Sequence, residues 1–172
     1  MLRGINLGRS RRLGMADLRK LLAELDYEDV TTHLQSGNIV LTSALGPRQL
    51  ERKLGEQIAE RLGLETDVIV RTRDELADVV ARDPLGDVVD NPARYQVTFL
   101  AAKPAPSVVK KLRAADLGRE RLVVSGREIY VWHAGGIQRS PAAKLLSPRK
   151  LGVASTARNW NTVTRLLELA DV

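Results

Sequence analysis

The side chains best suited to chemistry in this 172-residue chain gather in short polar clusters with few acids among them. In "TARNWNTVTRLLELA", residues 156–170, Arg158, Asn159, Asn161 and Thr162 precede a helical stripe of Val163, Leu166, Leu167 and Ala170. Asparagine and tryptophan are mediocre helix formers. Arginine is disfavoured at the positive end of a helix. A guanidinium accepted there points to pairing with a carboxylate or a bound anion. The alternative is structural: Ser155 or Thr156 caps the helix, the amides satisfy backbone groups of a neighbouring loop, and Trp160 anchors the helix to the core. "GIQRSPAAK" sets Arg139, Ser140 and Lys144 after Gly135-Gly136. A guanidinium, a hydroxyl and an ammonium beside a glycine loop form an oxyanion contact set. The same residues also suit a solvated loop.

"GINLGRS" lies between a strand and a helix, as a phosphate-binding loop would. The P-loop pattern needs four residues between its glycines and then Gly-Lys-Ser/Thr. Gly4 and Gly8 are separated by three, and Arg9 stands where lysine belongs, so an NTPase is rejected. Backbone N–H groups of such a loop still suit an anion, and a plain strand-to-helix turn suits the sequence equally. RNA-recognition modules stack bases on sheet aromatics. This chain is 3% aromatic with one phenylalanine, Phe99, and Tyr130 and Trp132 on one strand face read as packing against a helix. No Gly-x-Ser-x-Gly elbow or paired-histidine motif occurs. The absence of cysteine excludes disulfides, thiolate metal sites and cysteine nucleophiles. His33 and His133 stand far apart, so neither a metal nor a cofactor is expected.

Charge is unevenly placed. Residues 1–86 hold 13 basic and 14 acidic side chains, whereas residues 87–172 hold 14 basic and 7 acidic, a balance of +7. No acid lies between Glu128 and Glu168, a stretch carrying Arg139, Lys144, Arg149, Lys150, Arg158 and Arg165. Blocks of one sign suit an anionic partner, nucleic acid or a nucleotide, or a solubilising surface. With 44% hydrophobic and 28% charged residues the composition is that of a globular protein. No apolar run has signal-peptide or membrane-spanning length, so no membrane partner and a cytoplasmic location are expected.

The elements that must position these clusters follow from periodicity. "LRGIN" reads as a strand end; Met15, Leu18, Leu21, Leu22 and Leu25 give a helix. "VTTHLQ" and "NIVLTS" are strands joined at Ser36-Gly37. Leu50, Leu54, Ile58 and Leu62 mark a second helix, and "DVIVR" is a strand. Thr72 with Glu75 is a capping box for a third helix, ended by Asp83-Pro84. This is the split βαβ, or ferredoxin-like, order. It restarts with "YQVTFLA", a helix opened by Pro106 and Ser107, then "RLVV" and "EIYVW" joined at Ser125-Gly126. "LQSGNIVL" and "VVSGREIYV" form a weak internal repeat. The expected fold is α+β: two ferredoxin-like halves, residues 1–84 and 85–172. The second is incomplete and carries added C-terminal helices, the last from about Thr156.

The blocks "LRGINLG", "DLRKLLAELDYEDVTTHLQSGNIVL", "QRSPAAK" and "TARNWNTVTRLLELA" together resemble one family, the bacterial domain-of-unknown-function family 1697, over essentially the whole chain. The resemblance implies a two-part α+β fold and no established activity. It also implies a set of polar positions: Arg3, Asn6, Gln35, Ser36, Asn38, Arg139, Ser140, Arg158, Asn159 and Asn161. Three departures stand out. Several strand residues are expected ahead of "LRGIN", so the first strand should be short; Arg9 and Ser10 follow Gly8 in place of a second glycine and an asparagine or lysine; Ala157 replaces a threonine. The expectation is that the Arg158 cluster, the first loop and the Ser36-Gly37 turn converge on one polar site for a phosphate-bearing or carboxylate ligand, with Lys144 joining it. An enzyme for a small anionic substrate and a structural module are the alternatives.

Overall fold

The computed structural model describes residues 1–6 and 12–171. It divides into two compact units, Met1–Glu75 with Leu166–Val172, and Leu76–Arg165. Each is described by itself.

In the first unit α1, Met15–Glu24, buries Met15, Leu18, Leu21 and Leu22, the stripe its spacing predicts. Helix α2, Pro47–Leu62, buries Leu50, Leu54 and Ile58. Proline at its first position loses no hydrogen bond there. These side chains form one core with Leu2, Ile5, Leu13 and Val68. The capping box is present: Thr72 N–H donates to Glu75 Oε2 at 3.0 Å and Glu75 N–H to Thr72 Oγ1 at 3.2 Å. It opens α3, Arg73–Arg82.

Strands β1, Glu28–His33, and β2, Asn38–Thr42, pair antiparallel, with His33 opposite Asn38 at the turn. The backbone at the turn is left-handed at Leu34 (φ 59°) and Gly37 (φ 76°). Leu2 N–H donates to Gly37 O at 2.8 Å, and Leu2 bridges Val68 on its other side. Leu2 therefore joins Val68 on one side to the turn residue Gly37 on the other. The expected strands "LRGIN" and "DVIVR" amount to this one bridge. The chain turns away after Arg3 through left-handed Gly4 (φ 61°) and Asn6 (φ 56°), which ends the pairing.

In the second unit β3, Tyr95–Leu100, is followed by α4, Pro106–Ala114, then β4, Arg121–Ser125, and β5, Glu128–Trp132. Two 3-10 turns, at Ile137–Arg139 and Ala143–Leu145, and the four-residue helix α5, Pro148–Leu151, lead to β6, Ser155–Asn159. The chain then enters α6, Trp160–Ala170. The sheet order is β4-β5-β3-β6, all antiparallel. That is the split βαβ order, and the fold is α+β as expected. A helix from Thr156 is corrected. Thr156, Ala157 and Arg158 pair with Phe99, Thr98 and Val97, supplying the fourth strand. Cross-strand pairing outweighs a helical pattern that begins only at Val163. What is incomplete in this unit is its second helix, reduced to turns and α5.

One face of the sheet, through Leu100, Ile129 and Val131, packs against Leu112 of α4, Ala142 and Leu151. The other carries Tyr95, Val97, Phe99 and Tyr130, all buried.

Gly37→Ala tests the first unit. An added Cβ would lie 2.6 Å from Ile5 Cδ1 and 2.8 Å from Leu2 Cβ, on a backbone of φ 76°. The sum of left-handed strain and overpacking is about 2–5 kcal/mol. Urea unfolding should show a loss of that size, and an unchanged midpoint would contradict this packing.

Candidate functional site

Two polar side chains of the first unit, Asn6 and Asn38, are spent on backbone. Asn6 Nδ2 donates to Leu13 O at 3.0 Å and to Gln35 O at 2.7 Å, while its Oδ1 accepts Leu13 N–H at 2.8 Å. One side chain thus ties both ends of the first loop to the hairpin turn. Asn38, fully buried, donates to His33 O at 2.9 Å and to Ser36 Oγ at 3.0 Å, closing that turn. Gln35 contributes its carbonyl, and its side chain is exposed. Arg3 pairs with Asp67 at 2.6 Å. The loop residues Gly8, Arg9 and Ser10, read as an anion cradle, lie outside the described residues.

In the second unit Ser140 is buried rather than solvated. Its hydroxyl donates to Glu120 Oε2 at 2.8 Å and accepts Ala143 N–H at 2.9 Å. Glu120 Oε2 also accepts Ala142 N–H at 3.0 Å. His133 Nδ1 lies 2.8 Å from Ser140 Oγ and 3.7 Å from Glu120 Oε1. Serine has one hydroxyl hydrogen, and here it points to the carboxylate. The network therefore assigns the imidazole proton to Nδ1, donating to Ser140. Nε2 is buried and has no hydrogen-bond partner among the described residues. Burial lowers the His133 pKa, partly opposed by Glu120. Neither Glu120 nor His133 stood out in the sequence. The available signal was a carboxylate and an imidazole in an otherwise cationic stretch.

Arg158 sits in β6, 7% exposed, and not in a helical turn. Its Nη1 donates to Thr156 Oγ1 at 2.8 Å and to Ala157 O at 2.7 Å. Burial pulls its pKa down to about 10. The cap of α6 is Asn159, whose Oδ1 accepts Thr162 N–H at 2.9 Å, in place of the expected Ser155 or Thr156. Trp160 stacks on Tyr95 with ring centroids 4.7 Å apart. The Tyr95 hydroxyl, its pKa raised by burial and then by Asp83, donates to Asp83 Oδ1 at 2.9 Å. Tyr130 does pack against a helix: its hydroxyl donates to Val79 O of α3 at 3.1 Å. Asn161 is exposed.

Arg139 and Lys144 are exposed. Helix α4 and the segment 139–151 pack on the same sheet face through Leu112, Ala142 and Leu151. Their outward sides carry Lys110, Arg113, Arg139, Lys144, Arg149 and Lys150, all exposed. Residues 94–165 hold 14 basic and 3 acidic side chains, and of the acids Glu120 and Glu128 are buried. The expected convergence of the Arg158 cluster with the first loop and the Ser36-Gly37 turn would join residues of both units and stands as an expectation.

A family model described as a protein of unknown function, DUF1697, matches residues 1–130. The chain belongs to the DUF1697 family. The match stops short of "QRSPAAK" and the closing "RNWN" block. The fold is also that of a conserved bacterial protein from Streptococcus pneumoniae, with a TM-score of 0.77 and 22% identity over 99% of this chain and 96% of that one. That likeness spans both blocks. No curated protein matches the chain. Among the described residues no group of three or more metal-binding side chains gathers, and no helix is long and apolar enough to cross a membrane.

Asn159→Ala should cost about 1 kcal/mol, as loss of a helix cap does; chemical denaturation measures it, and a cost of zero would remove the capping role. His133 makes stability depend on pH. Its folded pKa lies below the unfolded value of about 6.5, so between the two the unfolded chain binds the extra proton. Stability is therefore full above about pH 6.5 and falls below it, by no more than about 1.4 kcal/mol per pH unit for one proton. Urea midpoints across that window should decline in the parent and much less in His133→Gln.

Proposed function

We propose that this DUF1697 protein binds a phosphate-bearing polyanion, nucleic acid before nucleotide, through the cationic layer of its second unit. The observation that carries the reading is the sorting of charge. The stretch from Arg94 to Arg165 has 14 bases to 3 acids, and it hides two of those acids in the interior. An exposed surface of one sign attracts an extended anion and releases its counterions on contact. Arg139 and Lys144 supply the contacts from the 3-10 turns, and Lys110, Arg113 and Arg149 add to them from α4 and α5. Exposed lysines and arginines suit backbone phosphate rather than base edges, so the binding is expected to be weak in sequence preference.

The remaining polar positions favour a second, structural role. Asn6, Asn38, Ser140, Arg158 and Asn159 spend their hydrogen bonds on the chain itself. In this reading they hold the turns and strand ends that carry the cations, and ligand contact falls to their exposed neighbours.

Fluorescence anisotropy of labelled single- and double-stranded oligonucleotides across a salt series tests the proposal. The affinity should fall linearly in log salt. The triple variant Lys110→Ala/Arg139→Ala/Lys144→Ala should bind more weakly with a shallower slope, by up to about 0.9 for each duplex phosphate it no longer neutralises. Failure to bind at about 50 mM salt, where such contacts are strongest, would end the nucleic-acid reading. Asn159→Ala, which changes no charge, should leave the slope as it was.

A further inference from the structure

Helix α4 has two apolar sides. Val108 and Leu112 face the sheet core. Pro106 and Val109 stand on the other side, where a helix resting on a sheet ordinarily shows polar groups to water. The i, i+3, i+4, i+7 spacing of Pro106, Val109, Lys110 and Arg113 puts all four on one stripe. With Pro104 and Ala114 they line an open groove of about 590 Å³. That size falls in the range of roughly 300–1,000 Å³ typical of ligand sites. Four of the six lining residues are apolar, the other two are the cations Lys110 and Arg113, and none is an acid. No acid occurs in the chain between Asp90 and Asp116, a stretch that holds five bases. We propose that this groove seats an unpaired base of a single-stranded nucleic acid, with Lys110 and Arg113 on the phosphates that flank it. The inference rests on the polyanion reading above and narrows it from nucleic acid in general to strands whose bases are free.

The argument is one of complementarity. A duplex offers this surface its phosphates, while the apolar faces of its bases are stacked on one another and out of reach. Cations alone suffice for such a partner, and an apolar concavity between them goes unused. A nucleotide of a single strand carries both parts, a flat apolar base and a charged phosphate a few bonds away. Seating the base against Pro104, Pro106 and Val109 removes apolar surface of both partners from water. The neighbouring phosphates release counterions at Lys110 and Arg113. None of the six lining residues is aromatic, so the contact is weaker than base–aromatic stacking. An apolar wall accepts the face of any base, which agrees with a weak sequence preference.

Fluorescence anisotropy of the full-length chain with labelled oligothymidylate and with an abasic strand of the same length separates base from phosphate, because the two strands carry equal charge. The thymidylate should bind about three- to tenfold more tightly, with the same salt slope. Val109→Ser, which changes no charge, should bring the two strands together and leave duplex affinity as it was. Val109→Thr keeps the shape of the side chain and exchanges one methyl for a hydroxyl, so it reports in the same direction if the serine variant does not fold. Equal binding of the two strands by the unaltered protein overturns the proposal and leaves the polyanion reading standing. A preference for thymidylate that survives substitution of Val109 places the base elsewhere and overturns it as well. An acidic, leucine-rich peptide that binds more tightly than the thymidylate, with the same dependence on Val109, overturns it in favour of a protein partner. Absence of binding by either strand at about 50 mM salt ends both readings.

Discussion

The carboxylate of Glu120 holds a stretch of chain that cannot hold itself. A split βαβ unit has a helix in each crossover, and a helix satisfies its own backbone. In the second unit the second crossover is two 3-10 turns and the four-residue α5, so several amides must find acceptors elsewhere. Glu120 accepts from Ala142 N–H and from the Ser140 hydroxyl, and Ser140 passes the connection on to Ala143 and His133. A carboxylate suits this task because it is acceptor-only and its hydrogen bonds are charge-assisted. With the turns fixed, Ala142 and Leu151 can reach the sheet core.

The same interaction decides the electrostatics. Taking Glu120 inside removes one of only three acids between residues 94 and 165 from the surface, and Glu128 is buried as well. Interior satisfaction and exterior charge are therefore one arrangement. A neutral acceptor in place of Glu120 would leave the surface cations untouched but weaken the turns that present two of them. Conversely, the charge of Lys144 or Arg149 can change with little consequence for the interior, because neither side chain is buried.

Much of the fold was legible because it rests on periodicity. The stripes through Leu18, Leu22, Leu50, Leu54 and Ile58 face the first core, both hairpins lie where turn residues separate β-rich runs, and Thr72 and Glu75 cap as their spacing predicts. Where the sequence misled, two signals competed. Thr156 to Asn159 precede a clear helical stripe, and only the partner strand β3 makes them a strand. "DVIVR" has strand propensity throughout, yet its partner turns away at Gly4 and Asn6. The polar positions were identifiable as unusual, but their use was not. Glu120 and Ser140 meet across 20 residues of sequence and through turns that have no period to read.

Asn6 and Ser140 solve one problem in two ways. Each spends a short polar side chain on backbone, Asn6 on that of Leu13 and Gln35 and Ser140 on that of Ala143. Asn6 both donates to and accepts from Leu13, so the two ends of the first loop are held whatever lies between them. Its amide does not ionise in the physiological range, which makes that clamp insensitive to pH. Ser140 works through an imidazole and a carboxylate, those of His133 and Glu120. The contrast follows from side-chain chemistry: the contacts of Asn6 are made by an amide, whereas the turns bearing Arg139 and Lys144 are held through a carboxylate and a hydroxyl that also meets an imidazole.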